Sequence, residues 1–232
     1  MYSANMSQLE LFDAPQQDAS NAAGFYLSGL LISPPQLANI FELSIDAFYA
    51  ALYAYMSEMP INGEISRFVE KVGKADDRAA AARIAFDRGD ADVLTVLGAA
   101  RKVQVEIHRM TGFLRFSPDA QGLYTARCEP DYFILPALAE HFTLRFGETP
   151  WAIIDEKRRL CLCRHKDGEV RLAPVSATPA ATAENGAAAE TGCPVERLWR
   201  LYHRSVSNEG RKNPRLQRQF MPERYHKYLC EL

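Results

Sequence analysis

Apolar residues recur at helical spacing over two stretches of this chain and alternate over several shorter ones. Phe48, Leu52, Tyr55, Met56 and Met59 fall on one helical stripe. The stripe opens at Ser44, a side chain suited to an N-cap, and closes at Pro60. Val96, Ala100, Val103, Ile107 and Met110 form a second stripe, which predicts a helix over 91–110 with Gly112 as its left-handed C-terminal cap. Between the two, 64–90 reads as short helices rich in alanine and charge. Ahead of them, 25–43 reads as extended or irregular, punctuated by Pro34-Pro35, with a strand around 38–43. Downstream, 113–116 and 123–128 read as the two strands of a hairpin whose turn holds Pro118, Asp119 and Gly122. A helix over 135–146 carries Leu138 and Phe142 inward and tolerates Pro136 because it lies in the first turn. Strands are predicted over 151–155, 159–164 and 170–172, the last two joined by a tight turn at Asp167-Gly168. The pattern is that of an α+β protein, a small and mostly antiparallel sheet with helices packed on it.

The ends of the chain are different. Residues 1–24 are rich in Gln, Ser, Asn, Asp and Ala without periodicity and read as a flexible tail ahead of an α+β core over 25–174. Residues 175–192 hold seven alanines and three threonines and read as a low-complexity linker or surface insertion. The final stretch, 193–232, reads as a basic helical segment packing on the core.

The 232 residues carry a formal net charge of -2, so contact with an anion must be local rather than spread over the surface. Nine cations stand between Glu196 and Tyr228, namely Arg197, Arg200, Arg204, Arg211, Lys212, Arg215, Arg218, Arg224 and Lys227, against three carboxylates. Arg197, Arg200 and Arg204 follow one another at i, i+3 and i+7, while Leu198, Leu201 and Tyr202 occupy another face. The apolar face is expected to dock on the core and to leave a guanidinium row outside. Seven of the nine are Arg, whose planar fork matches phosphate oxygens, so this segment is the expected nucleic-acid surface. Trp199, Tyr202, Phe220, Tyr225 and Tyr228 can stack on unpaired bases, although most are expected in the core.

A second cluster lies where the long helix enters the hairpin, with His108, Arg109 and Arg115. His141 and Arg145 share a helix face at i, i+4, and Asp155 and Glu156 stand beside Arg158 and Arg159. A His beside a carboxylate can serve as a general base, which makes His108, His141 and Asp155 the catalytic candidates. The competing reading is that both histidines are structural and Asp155 pairs with an Arg. No phosphate-binding glycine loop, dinucleotide fingerprint, HExxH or paired CxxC occurs, and no cofactor or metal is expected. Cys161 and Cys163 alternate along a strand and are expected as small buried residues on one face. Five cysteines without framework spacing, and no apolar leader or long apolar run, place the expected location in a reducing cytoplasm away from the membrane.

Gln8-Leu9-Glu10-Leu11-Phe12 resembles the short peptide by which many bacterial polymerases and repair proteins dock on the DNA sliding clamp. A Gln8 amide would fix register while Leu9, Leu11 and Phe12 fill apolar pockets. Larger stretches, HRMTGFLRF from His108, AEHFTLRF followed by PWAIIDEKR from Ala139 to Arg158, and LWRLYHRSVSNEGRKNPRLQRQFMPERYHKYL from Leu198, resemble the bacterial family labelled "probable DNA metabolism protein". The similarity runs over about 38–230 except the alanine-rich stretch. It implies a DNA context: members are similar to a domain fused to uracil-DNA glycosylase-like proteins and are encoded near a radical SAM protein of DNA modification or repair. This chain has neither a glycosylase half nor the radical SAM three-cysteine spacing. Within the matching stretch Asn213, Arg215, Gln217, Arg218 and Gln219 are the residues suited to phosphates or base edges. The expectation is a DNA-binding accessory protein, with DNA, the sliding clamp and a radical SAM protein as partners. The alternatives are an enzyme acting on DNA and a DNA-independent scaffold.

Overall fold

The computed structural model describes residues 34–119, 121–175 and 194–229. They fall into two compact units, one made of the chain up to Arg109 together with Pro130–Ala137, the other of Met110–Glu129 and the chain from Leu138 on.

The first unit is helical, with α1 Pro34–Leu43, α2 Ile45–Met56, α3 Asn62–Gly73, α4 Arg78–Ala85 and most of α5 Ala91–Phe113. The strand expected over 38–43 is therefore a helix. Pro34 and Pro35 open it, since a missing N–H costs nothing in the first turn, and Leu37, Ile40 and Phe41 at i, i+3 and i+4 give it an inner face. Ser44 caps α2 as its position suggests, accepting from the Ala47 N–H at 3.3 Å. In α3 the buried residues are Ile65, Phe68, Val69 and Val72, a full helical stripe. They pack with Ile40, Phe48, Val93 and Val96 in one apolar cluster, where Phe41 meets Phe48 edge to face at 5.2 Å. Asp90 starts α5 by accepting from the Asp92 and Val93 amides. Asp92, held at about 2 by Arg67 and Lys71, ties that start to α3.

One buried carboxylate organises the irregular part of this unit. Glu106, on α5, accepts from the backbone N–H of Asp131 at 2.7 Å and of Tyr132 at 2.8 Å, one on each oxygen. The next amide, Phe133, donates to the Met56 carbonyl at the end of α2. The stretch 131–133 has no helix or sheet to satisfy its amides, so the carboxylate supplies what secondary structure does not.

The second unit carries a five-stranded sheet in the order β1-β2-β3-β4-β5, formed by Ser117–Pro118, Tyr124–Cys128, Trp151–Asp155, Leu160–Arg164 and Val170–Pro174. It is mostly antiparallel, as the pattern indicates, but β2 and β3 run parallel. Their connection passes through α6 Leu135–Phe146, the kind of crossover that parallel neighbours require. Trp151 is fully buried against Phe142, whose ring also meets Phe116. Every residue of β3 is buried, so both faces of the sheet are covered there.

Two local expectations are corrected here. The helix does not stop at Gly112; it continues to Phe113, and the Leu114 amide still reaches the Met110 carbonyl, keeping buried Met110 and Leu114 in register. The left-handed glycine cap occurs instead at Gly147 (φ 59°), which closes α6. For the same reason 113–116 is no strand, and the first arm of the hairpin is only β1. Its turn is as expected, with Gly122 at φ 81° and Asp119 bonded to Leu123 through both backbone and side chain.

The basic segment follows as α7 Pro194–Val206, a 3₁₀ turn Glu209–Arg211, α8 Pro214–Phe220 and a 3₁₀ stretch Glu223–Tyr228. Asn213 caps α8 through its side-chain oxygen, with Pro214 at the first helical position. No helix among the described residues is long and apolar enough to cross a membrane.

Replacing Glu106 by Ala strands two part-buried amide donors and should destabilise the first unit by about 1–3 kcal/mol. Glu106→Gln, which keeps one accepting oxygen, should lose less. Urea unfolding followed by circular dichroism measures both; an unchanged midpoint for Glu106→Ala would show that the loop does not depend on this carboxylate.

Candidate nucleic-acid interface

The basic segment is anchored at its far end and open along its length. Tyr225 is buried against the Phe113 ring at 5.7 Å, and Leu229 is buried beyond it. The Tyr228 hydroxyl donates to Glu156 at 2.6 Å, Arg127 pairs with the other oxygen of Glu156, and Lys227 pairs with Glu129 at 2.7 Å. Burial pushes the Glu156 carboxyl up, but the bonds from Tyr228 and Arg127 outweigh it and hold the group below its ordinary range. The Tyr228 phenol moves the other way, raised by burial and by the Glu156 charge beside it.

Ahead of that anchor the residues from Arg211 to Phe220 are all exposed, as are Arg197, Arg200 and Arg204. No ion pair among the described residues involves Arg197, Arg204, Arg211, Arg215 or Arg218. The expected docking of the apolar face of α7 on the core is not found. Leu198 and Leu201 are each 64% exposed and Tyr202 57%, because the anchoring is done by Tyr225, Tyr228 and Leu229 instead. Of the aromatic residues interleaved with the cations, only Tyr225 is core; Trp199 and Phe220 are exposed with Tyr202. Arg115 joins this surface from the end of α5, its guanidinium 5.5 Å from the Trp199 ring centre while Nη1 donates to the Gly112 carbonyl. Gln217, Gln219 and Lys212 lie on the open surface, whereas the Asn213 oxygen is already engaged as a cap.

His108 is exposed on α5 within the first unit, beside half-buried Arg109, and His141 and Asp155 belong to the second. His141 is exposed on α6 and lowered by partial burial and the nearby Arg145 charge. Asp155 is wholly buried and holds Arg158 at 2.8 Å while accepting the Arg158 amide, so it pairs with an Arg as the structural reading has it. Burial raises its carboxyl against the pull of Arg158. This enclosed carboxylate shapes the turn from β3 to β4.

Sequence reasoning missed one pair. Cys161 and Cys163 are buried on one face as expected, but the Cys163 Sγ lies 3.3 Å from His165 Nε2. The hydrogen bond from Cys161, aided by the imidazole and working against burial, pulls the Cys163 thiol down to about 6. Alternation alone puts 161, 163 and 165 on one side of the strand, and that signal was available. Among the described residues no group of three or more His, Cys, Asp or Glu side chains is placed to hold a metal ion. The clamp-like residues Gln8, Leu9, Leu11 and Phe12, and the alanine-rich stretch beyond Val175, lie outside the described residues.

Fold and surface together define an α+β protein with a mixed five-stranded sheet and an open arginine-rich terminal segment. The chain belongs to the family described as Domain of unknown function (DUF4130), whose model matches residues 65–231. Searches of curated proteins and of solved structures found no match.

The Cys163 thiol is lowered from its ordinary 9.0, so the folded state favours the thiolate. Its contribution to stability is complete above the unfolded value and is lost as pH falls through about 6. The thiolate absorbance difference between the protein and Cys163→Ser should therefore rise with a midpoint near 6. A midpoint close to 9.0 would show that Cys161 and His165 do not act on this thiol.

Proposed function

We propose that this chain is a DNA-binding accessory protein of DNA repair or base modification, gripping the phosphate backbone through its terminal segment. The observation that carries the reading is the set of five exposed arginines, Arg197, Arg204, Arg211, Arg215 and Arg218, joined to no carboxylate among the described residues. A solvated helix face that served only solubility would neutralise part of such a row with neighbouring acids. Arginine forks with no internal partner leave their donors available to phosphate oxygens. The choice of DNA, and of a radical SAM or glycosylase-type partner that performs the chemistry, comes from the resemblance of 198–229 and of the stretches from His108 and Ala139. The enclosed Asp155 weighs against this chain performing the chemistry through that residue.

Anisotropy titrations with DNA over a salt series test the reading. Each phosphate contact contributes about 0.7–0.9 to the slope of log affinity against log salt. The Arg215→Glu/Arg218→Glu protein should therefore bind more weakly and lose about 1.4–1.8 from that slope. Absence of binding by the unaltered protein at low salt would dispose of the reading, and an unchanged slope in the variant would remove these two arginines from the interface.

A further inference from the structure

We propose that Cys163 is an oxidation site for hydrogen peroxide, with His165 passing a proton to the leaving oxygen and Cys161 closing the product to a disulfide within β4. None of the arginines of the proposed interface takes part, so the two readings stand independently.

β4 sets Cys161 and Cys163 on one face of the sheet, and the same alternation carries His165 to that side just past the end of the strand. Opposite them stand Ile154 and Ala152 on β3, and Ala173 and Arg171 on β5. Cys161 is wholly buried in an apolar cluster with Ala152, Ile154 and Val175. Cys163 belongs to the same cluster but keeps 5% of its surface open, near the strand end where His165 is half-buried and Arg171 exposed. Two residues selected only for small size would need no polar company there. Yet the Cys163 Sγ receives a hydrogen bond from the Cys161 thiol, lies 3.3 Å from His165 Nε2, and has the Arg171 carbonyl at 3.7 Å as acceptor for its own proton.

These surroundings give the two sulfurs different tasks. Cys163 is the one whose thiolate is stabilised, by the Cys161 donor, the imidazole and the Arg171 charge, and it is the one that a water-sized oxidant meets first. Its sulfur attacks one oxygen of hydrogen peroxide. The S–O bond forms, the O–O bond breaks, and the departing oxygen leaves as water with a proton from the His165 imidazolium, the one that Cys163 gave up. Sulfur has then lost two electrons and stands as the sulfenic acid. The Cys161 thiol, already directed at that sulfur, displaces its hydroxyl; the S–S bond forms and the hydroxyl leaves as water with the Cys161 proton. The net change is two thiols and one peroxide to one disulfide and two waters. Two residues along a strand separate their Cα atoms by about 6.7 Å, near the upper limit for a disulfide. The bridge therefore closes at full stretch and is readily opened again by thiols, as a transient redox disulfide must be.

Trypsin cuts after Arg159 and Arg164 and so releases both sulfurs in the one peptide 160–164. The reduced full chain is treated with equimolar hydrogen peroxide, quenched with catalase, denatured in iodoacetamide and mapped by mass spectrometry. That peptide should lose two hydrogens and carry no alkyl group, and dithiothreitol before alkylation should restore both thiols. It should be oxidised at least about tenfold faster than Cys128, a buried cysteine on β2. Cys161→Ser should leave Cys163 as a sulfenic acid that dimedone captures, and Cys163→Ser should leave Cys161 reduced. His165→Ala should slow the first step by about tenfold or more. Recovery of 160–164 from the unaltered protein with both sulfurs alkylated would overturn the inference, as would a disulfide from Cys161 or Cys163 to any other cysteine. Dimedone capture at Cys161 in Cys163→Ser as fast as at Cys163 in Cys161→Ser would overturn the division of tasks, and an unchanged rate in His165→Ala would overturn the proton transfer.

Discussion

The fastening of the last turn governs what the terminal segment can do. Tyr225 is sealed against Phe113, Tyr228 donates to Glu156, and Lys227 pairs with Glu129, so three consecutive contacts hold the 3₁₀ stretch to the second unit. Glu156 is the joint, because Arg127 on β2 holds one of its oxygens while Tyr228 donates to the other. With that end secured, α7 and α8 need not dock their apolar rows to stay placed. The cost of leaving Leu198, Leu201 and Phe220 in water is a standing one, and a partner that covers part of the row relieves it.

The same economy of polar groups holds the first unit. Its helices pack by ordinary stripes, but 131–133 is irregular, runs from exposed Asp131 to buried Phe133, and has no ladder to satisfy its amides. Glu106 answers two of those amides and the Met56 carbonyl a third. Asp155 has the corresponding place in the second unit, enclosed with Arg158 at the turn from β3 to β4. Both carboxylates look like chemistry in a list of acidic residues. Their contacts are backbone amides for Glu106 and Arg158 for Asp155.

Much of this was legible in the sequence. The stripes of α2 and α5, the inward Leu138 and Phe142 of α6, and the strands β3 to β5 all follow from periodicity, because burial there is one-sided or complete. The run 38–43 misleads because six residues of mixed polarity fit either period, and only the prolines ahead of it mark a helix start. The parallel pairing of β2 with β3 was implied by strand, helix, strand in succession. Glu106 was not legible, since its partners are backbone amides 25 and 26 residues away with no side-chain signature. For the interface the sequence shows that α7 has two unlike faces. Which face is covered depends on the anchor at Tyr225 and Tyr228, and no helical wheel contains that information.

The central claim is that the open stretch ahead of the anchor is where nucleic acid binds. Hydrogen exchange of the full chain with and without saturating single-stranded DNA tests it most directly. The account predicts slowed exchange across 197–220, with the helices of the first unit unchanged. Slowed exchange confined to the first unit, with 197–220 exchanging as in the free protein, would contradict it.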